Sequence, residues 1–499
     1  MSFDKSFFGH PRGLATLFFT EMWERFSYYG MRALLLLFMV ASVEDGGMGL
    51  DEKTGGAVYG LYTMFVYLLA LPGGWLADKF FGLRKSIFYG ACIITLGHIT
   101  LAFSSNETFF LGLLFIVIGT GMLKPNISSL VGELYPTAEQ AKRDAGFSIF
   151  FMGINLGAFI SPLITSYLGE KIDWHYGFGA AGLGMFLGII QFKLTEKYLG
   201  TAGLEPARLN DPVVQQQRDR NIKIGLWTIG LSLVVLVALL FTRILVIDPL
   251  KIAQASTYFI SGSVVLYFLY LFLIEKLSVD EKKKMGVIAI FFLASTMFYG
   301  GYEQQGSSLN LFALRYTDRM IFGWEMPAGY FQSVPAVFVI IFSLAFAWLW
   351  VWLAKRNLNP ITPAKLALGL IFMGLGYAVM MWASTIVVAG NKALPSWLIV
   401  TYLLHTFGEI CLYPVGMSAV TKLSPQRLVG QMMGIWFMSL ALGNLSAGLF
   451  AGEFDDAVIA ANPQLLIDLF WVVVKVMMVA GLIILLFSKQ IRKWMGNIQ

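Results

Sequence analysis

Apolar runs of bilayer-crossing length recur along almost the whole chain, and few folds tolerate that pattern. They lie near residues 14–41, 55–77, 84–104, 108–134, 146–168, 176–198, 222–246, 253–274, 286–313, 328–354, 364–389, 396–420, 430–452 and 466–488. About 20 apolar residues suffice for one helical crossing, and the backbone in lipid must satisfy its own hydrogen bonds. The chain is therefore expected to be an all-α integral membrane protein with about 14 transmembrane helices. Composition agrees: charged residues make up 13% of the sequence and hydrophobic ones 57%, where soluble proteins carry about 25% charge. Asp4 and Lys5 precede the first run, which itself carries charges and continues into a span, so no cleavable signal is expected.

An even number of spans places both termini on one side, and Lys and Arg choose which. Of 36 basic residues, about 25 fall in loops on the side of the termini and 7 on the other. Arg25, Arg32, Lys124 and Lys475 lie within spans. That bias puts both termini in the cytoplasm. It also accounts for the pI near 9.0 without a nucleic-acid partner. Cys92 and Cys411 both lie in spans, and no metal-ligand spacing occurs.

The first span carries charges that hydrocarbon does not accept. At about 100° per residue, Glu21, Arg25, Tyr28 and Arg32 share one face of a helix within about 60°, and Glu24 borders them. A charge facing lipid at mid-bilayer costs at least about 2.5–3.5 kcal/mol, so the stripe is expected to face a wet or protein-lined interior. A structural ion pair between Glu21 and Arg25 at i,i+4 is the plainer alternative. Two acids and two bases exceed what neutralisation needs. Lys124, Glu303 and Glu409 are further charges deep in other spans.

The chain repeats itself in outline. Leu123-Lys124-Pro125 is followed eleven residues on by Pro136, and Leu412-Tyr413-Pro414 at the same interval by Pro425. Phe151-Met152 with Leu156-Gly157 then matches Phe437-Met438 with Leu442-Gly443. Same-sense repeats of this kind describe two six-helix transporter halves. Two extra spans fit a hairpin inserted between them. The expected division is 1–200 for the N-terminal bundle, 201–280 for a cytoplasmic linker with the hairpin, and 281–499 for the C-terminal bundle. Pro206, Pro212 and the glutamine run at 215–217 mark the linker.

Two motif sets carry a family resemblance. Gly73-Gly74-Trp75-Leu76-Ala77-Asp78-Lys79-Phe80-Phe81-Gly82-Leu83-Arg84-Lys85 resembles the loop motif of the major facilitator superfamily. Glu21-x-x-Glu24-Arg25-Phe26-x-Tyr28-Tyr29-Gly30 is similar to the first-helix signature of the proton-dependent oligopeptide transporter family. The stretch from Phe147 to Gly157 resembles that family's fifth-helix signature, and Lys124-Pro125-Asn126, Glu303 to Ser307 and Glu409-Ile410-Cys411 match further helices. The resemblance covers essentially the whole chain, the extra hairpin included.

The resemblance implies a proton-coupled symporter of di- and tripeptides working by alternating access, not an enzyme, with protons as coupling ion and no cofactor. It implies proton handling by Glu21, Glu24 and Glu303 beside Arg25. It assigns the peptide carboxylate to Arg32 and Lys124 and the amine to Glu409 with Asn155. Tyr28, Tyr29, Tyr67 and Trp436 would line side-chain pockets; plain helix packing is their alternative. The expected setting is a bacterial inner membrane and the expected unit a monomer. The runner-up within the fold is a symporter of nitrate or of a peptide-like drug. Two departures stand out. None of the histidines, His10, His98, His175 and His405, lies in the second span, where mammalian members use one. Pro335 follows Phe331-Gln332-Ser333-Val334 where relatives carry asparagine.

Overall fold

The computed structural model describes residues 7–103, 105–136, 139–204, 206 and 211–496. Asp4, Lys5 and Arg208, and positions 205, 207, 209 and 210 of the expected linker, lie outside these. Helices dominate. In order they are α1 (Arg12–Val40), α2 (Glu52–Leu68), α3 (Ala70–Leu76, continued by a π-helical turn Ala77–Phe81), α4 (Leu83–Leu101), α5 (Asn106–Glu133), α6 (Gln140–Lys171) and α7 (Trp174–Thr195). Then come α8 (Pro212–Phe241), α9 (Pro249–Leu273), α10 (Val279–Tyr302), α11 (Ser308–Tyr316), α12 (Val334–Lys355), α13 (Thr362–Val388) and α14 (Pro395–Leu423). α15 (Val429–Ala451), α16 (Asp456–Ala461), α17 (Gln464–Leu486) and α18 (Ser488–Met495) complete the chain. A two-stranded hairpin, β1 (Met320–Ile321) with β2 (Trp324–Glu325), caps one loop.

Among the described residues, 12 helical stretches are long and apolar enough to cross a membrane. α1 and α4 complete the expected set at 29 and 19 residues. α1 carries Glu21, Glu24, Arg25 and Arg32 among its apolar residues, and Arg84, Lys85 and His98 dilute the short α4. The expected fourteen membrane-length segments are thus present.

Helix starts depart from the apolar runs where polar residues supply caps. α8 begins at Pro212, ten residues before the hydropathy run. The Asp211 carboxylate accepts from the N–H groups of Val213 and Val214 at 2.8 and 3.4 Å. Pro212 then occupies the first turn, where its missing N–H leaves nothing unpaired. The tail of the expected linker is therefore helix. α10 opens on a capping box: Ser278 accepts from the Glu281 N–H while the Glu281 carboxylate accepts from the Ser278 N–H.

Two compact units emerge, and they do not follow chain order. The first holds residues 1–31 and 65–248; the second holds 32–64 and 249–499. α1 contributes to both, changing unit at Arg32. Pro125 and Pro414, paired by the internal repeat, both sit inside long helices, α5 in the first unit and α14 in the second. Cys92 and Cys411 are free thiols.

Within the second unit, α15 meets α2 at van der Waals distance between backbones. A Cβ built on Gly448 would stand 2.4 Å from Gly60 Cα and 2.5 Å from Gly56 O. Small residues are what permit such an approach between membrane helices. Since the neighbours are backbone atoms, Gly448→Ala must push the helices apart, a strain of about 1–3 kcal/mol. Thermal unfolding of purified protein should show a lower midpoint for Gly448→Ala; an unchanged midpoint would refute the tight approach.

Candidate functional site

In the first unit, the α1 stripe is buried: Glu21, Glu24 and Arg25 are 3%, 0% and 3% exposed. Their spacing places all three on one side of the helix, and one guanidinium serves both acids. Arg25 Nε lies 3.3 Å from Glu21 Oε1 and also bonds Glu24 Oε2. The guanidinium carbon sits 5.0 Å from the centre of the Tyr28 ring and 6.0 Å from that of Tyr29. Glu21 Oε2 and Glu24 Oε1 make no hydrogen bond within the described residues. Two carboxylates share one guanidinium, so Arg25 alone does not balance both, and the Lys124 ammonium acts on Glu21 as well.

α6 is held against this stripe by glycine. A Cβ at Gly157 would stand 2.3 Å from Met22 O and 3.0 Å from Arg25 Cβ, so only glycine allows the approach. Asn155, two residues earlier, donates its side-chain amide to Phe151 O at 2.9 Å, one turn back on its own helix.

Lys124 lies half-buried on α5 with its Nζ 4.0 Å from the centre of the Tyr67 ring. Proline at 125 cannot donate to the carbonyl one turn back, that of Gly121, and Asn126 follows it with side-chain bonds of its own. Its Nδ2 donates to Met122 O at 2.6 Å and lies 3.4 Å from Gly73 O. Asn126 thus ties the proline turn to α3. The motif Lys124-Pro125-Asn126 reads in space as one charge, one proline within a continuous helix and one tie to α3.

In the second unit, Arg32 and Glu303 form a buried ion pair, Nη1 to Oε2 at 2.8 Å, with side chains 6% and 5% exposed. The pair joins residues 271 positions apart. Glu303 stands at a break: α10 ends at Tyr302, a 3-10 turn runs Glu303–Gly306, and α11 starts at Ser308. Broken helices within membrane spans supply ion and substrate sites in many transporters. Gly306 is required there, because a Cβ would stand 2.2 Å from Tyr59 Oη and 3.1 Å from Arg32 Nε. Asn310 braces the segment by donating to Ala33 O at 2.8 Å.

Glu409, on α14, accepts from Tyr302 Oη at 2.6 Å. Tyr302 therefore separates two acids, standing next to Glu303 in sequence and bonded to Glu409 in space. Sequence reasoning did not single out Tyr302; its position beside a buried acid is the signal it offered. Trp436 is 1% exposed and its ring covers Gly416, where a Cβ would stand 2.4 Å away. Pro335 is buried in the first turn of α12, where a missing N–H costs nothing. Gln332, one turn earlier and 7% exposed, makes no side-chain hydrogen bond within the described residues.

The structure joins some of the predicted residues in each unit and leaves Asn155, bonded to its own helix, and Trp436, packed on Gly416, outside these contacts. Glu21, Glu24, Arg25, Tyr28 and Tyr29 form one cluster, with Lys124 and Tyr67 as a second contact in the same unit; Arg32 with Glu303, and Glu409 with Tyr302, belong to the other unit.

The model of the POT family matches residues 84–465. The chain is 41% identical over 507 residues to the peptide transporter YePEPT of Yersinia enterocolitica subsp. palearctica, covering 99% of this chain and 97% of that one. It is 33% identical over 509 residues to a di-/tripeptide transporter of Lactococcus lactis subsp. lactis, with 99% of each covered. The crystal structure of a peptide transporter POT in complex with sulfate superposes with a TM-score of 0.89 at 38% identity, covering 99% of this chain and 97% of that chain.

Proposed function

The chain belongs to the POT family, a peptide-transporter family with the major facilitator fold, and from that membership we propose how it works as a proton-coupled symporter of di- and tripeptides. One observation carries the reading: the buried pair between Arg32 and Glu303. Removing one partner of such a pair costs about 3–5 kcal/mol, because the other charge is left uncompensated. A proton on Glu303 does that to Arg32, and the C-terminal carboxylate of a peptide restores the balance. Proton and peptide thus favour each other's binding.

The remaining roles follow from charge. Lys124 joins Arg32 on the peptide carboxylate, and Glu409, steered by Tyr302, takes the amine with Asn155. Glu21 and Glu24 hold a proton beside Arg25. Tyr28, Tyr29, Tyr67 and Trp436 border the peptide side chains. An extended residue spans about 3.5 Å, so poles of fixed separation select short zwitterions. One proton falling through 100 mV supplies about 2.3 kcal/mol, enough for roughly 50-fold accumulation of a neutral solute. In this reading the protein sits in a bacterial inner membrane with both termini cytoplasmic, acts as a monomer, uses no cofactor and leaves its cargo chemically unchanged.

Acidification-driven uptake of labelled dialanine into liposomes containing the purified protein tests the reading. Saturable accumulation, competed by other di- and tripeptides, is expected. Uptake that ignores the proton gradient, or fails to saturate, would reject it. The amine pole has its own test. Glu409→Gln should lower uptake of ordinary dipeptides at least about tenfold, since charge-assisted bonds contribute about 1.5–3 kcal/mol, and spare analogues lacking the amine. Equal loss for both would remove Glu409 from that role.

A further inference from the structure

The break between α10 and α11 is approached through two glycines, Gly300 and Gly301. Glycine holds a helix weakly, and a glycine pair is one of the few places where a helix bends sharply. Close packing does not demand both. A Cβ at Gly300 would meet Ser446 Cβ at 3.7 Å, an ordinary contact. One at Gly301 would stand 3.0 Å from Met373 Cγ on α13 and 3.1 Å from Met477 Cε on α17. The backbone just ahead of Tyr302 and Glu303 is therefore soft, and helix propensity does not fix where those two side chains stand.

A neighbouring helix fixes it instead. Tyr377 of α13 donates its hydroxyl to Gly301 O at 2.7 Å, at a helix end where carbonyls lose their regular partners. The Glu303 N–H is directed at the same carbonyl, so the bond bears on the backbone of the acid itself. Tyr377 is fully buried, and its ring packs on those of His405 and Phe470, with centroids 4.9 and 6.0 Å away. Three consecutive residues are thus each tied to a different helix within the second unit. Gly301 is held by Tyr377 of α13, Tyr302 bonds Glu409 of α14 at 2.6 Å, and Glu303 pairs with Arg32 of α1 at 2.8 Å. The last two ties are charged, and a proton or an end group of a peptide can exchange them. The first is neutral and offers neither of them a charge to compete for.

We propose that Tyr377 is a positioning residue for the coupling acid. Its bond to Gly301 O holds the break in register while Glu303 parts from Arg32 and Glu409 takes the peptide amine, so that Glu303 returns to Arg32 afterwards. The inference rests on the coupling role given above to Glu303. Without the hydroxyl, ionised Glu303 holds Arg32 less well, and Arg32 becomes available to a peptide carboxylate before any proton has been taken up. Carriage then continues while coupling slips.

Tyr377→Phe keeps the ring and deletes the hydroxyl, and it tests the assignment. In liposomes, acid-driven accumulation of dialanine should fall about three- to tenfold, the range of one hydrogen bond, while counterflow exchange stays within about twofold of wild type. Equilibrium binding of labelled dialanine to the purified variant at neutral pH should tighten by a similar factor at full capacity. In the Glu303→Gln background, where Arg32 has already lost the Glu303 charge, Tyr377→Phe should add no further tightening, because groups acting through one network are not additive. A bond that merely supports the fold would lower binding capacity, counterflow and accumulation together, and would act equally in both backgrounds. Either result overturns the proposal, as does accumulation by Tyr377→Phe at the wild-type level. A wild type that fails to accumulate dialanine refutes instead the function on which the inference rests.

Discussion

Glu303→Gln abolishes proton-driven accumulation of dialanine, lowering the initial rate at least about a hundredfold, while dialanine still binds. The amide copies the shape of a protonated Glu303 and cannot lose its proton. Arg32 then lacks its anionic partner, at 2.8 Å in the wild type, in every step of the cycle. Exchanging a buried pair for an unmatched charge costs about 3–5 kcal/mol, and about 1.4 kcal/mol corresponds to a factor of ten. The amide oxygen can still accept from the guanidinium, which places the loss near the lower bound. A peptide carboxylate supplies the missing anion, so binding measured by tryptophan fluorescence should be retained or tightened. Glu303→Asp, one methylene shorter but still ionisable, should recover part of the transport. Accumulation by Glu303→Gln at the wild-type level would show that the pair is structural only. Loss of binding together with transport would show that Arg32 does not recognise the carboxylate.

What the sequence makes legible here is what has a short period. Helices of α15 and α17 lie within about two residues of the apolar runs at 430–452 and 466–488, because nothing but hydropathy sets their ends. The α1 stripe is legible for the same reason, since a 3.6-residue period brings Glu21, Arg25 and Arg32 to one face. The break at Glu303 is not. The run 286–313 reads as one span, and no proline marks where α10 stops and α11 starts. What demands the break is tertiary: Tyr59 and Arg32 crowd Gly306 from other helices. The partner of Arg32 is equally hidden, for a pair 271 residues apart leaves no periodic trace. Residues 32–64 joining the later part of the chain in one compact unit is a further long-range outcome. Pro212 misled in the opposite sense. It looks like a breaker, yet behind Asp211 it starts a helix of 30 residues, because a first-turn proline gives up no hydrogen bond.

Glu21→Gln separates coupling from carriage. Arg25 stands between two carboxylates that are 3% and 0% exposed, and a single one suffices to neutralise it. Glu24 is the closer partner; Glu21 stands off at 3.3 Å and leaves Oε2 without a hydrogen bond among the described residues. Glu21 is accordingly the acid whose negative charge Arg25 compensates less, and the one a proton relieves. Replacing it with Gln keeps the side-chain volume, keeps the Arg25–Glu24 pair and deletes one titratable group. Counterflow exchange of dialanine needs the carrier to reorient with cargo but no net proton movement, so it should stay within about threefold of wild type. Accumulation driven by acidification should fall from the roughly 50-fold that one proton sustains at 100 mV to about unity. Glu24→Gln removes the closer partner instead and should impair counterflow as well, since Arg25 then relies on the more distant acid. Full accumulation by Glu21→Gln would assign the coupling proton elsewhere, with Glu24 and Glu303 the remaining acids of the proposed coupling set. Counterflow lost in step with accumulation would mean that Glu21 braces α1 and does no coupling at all.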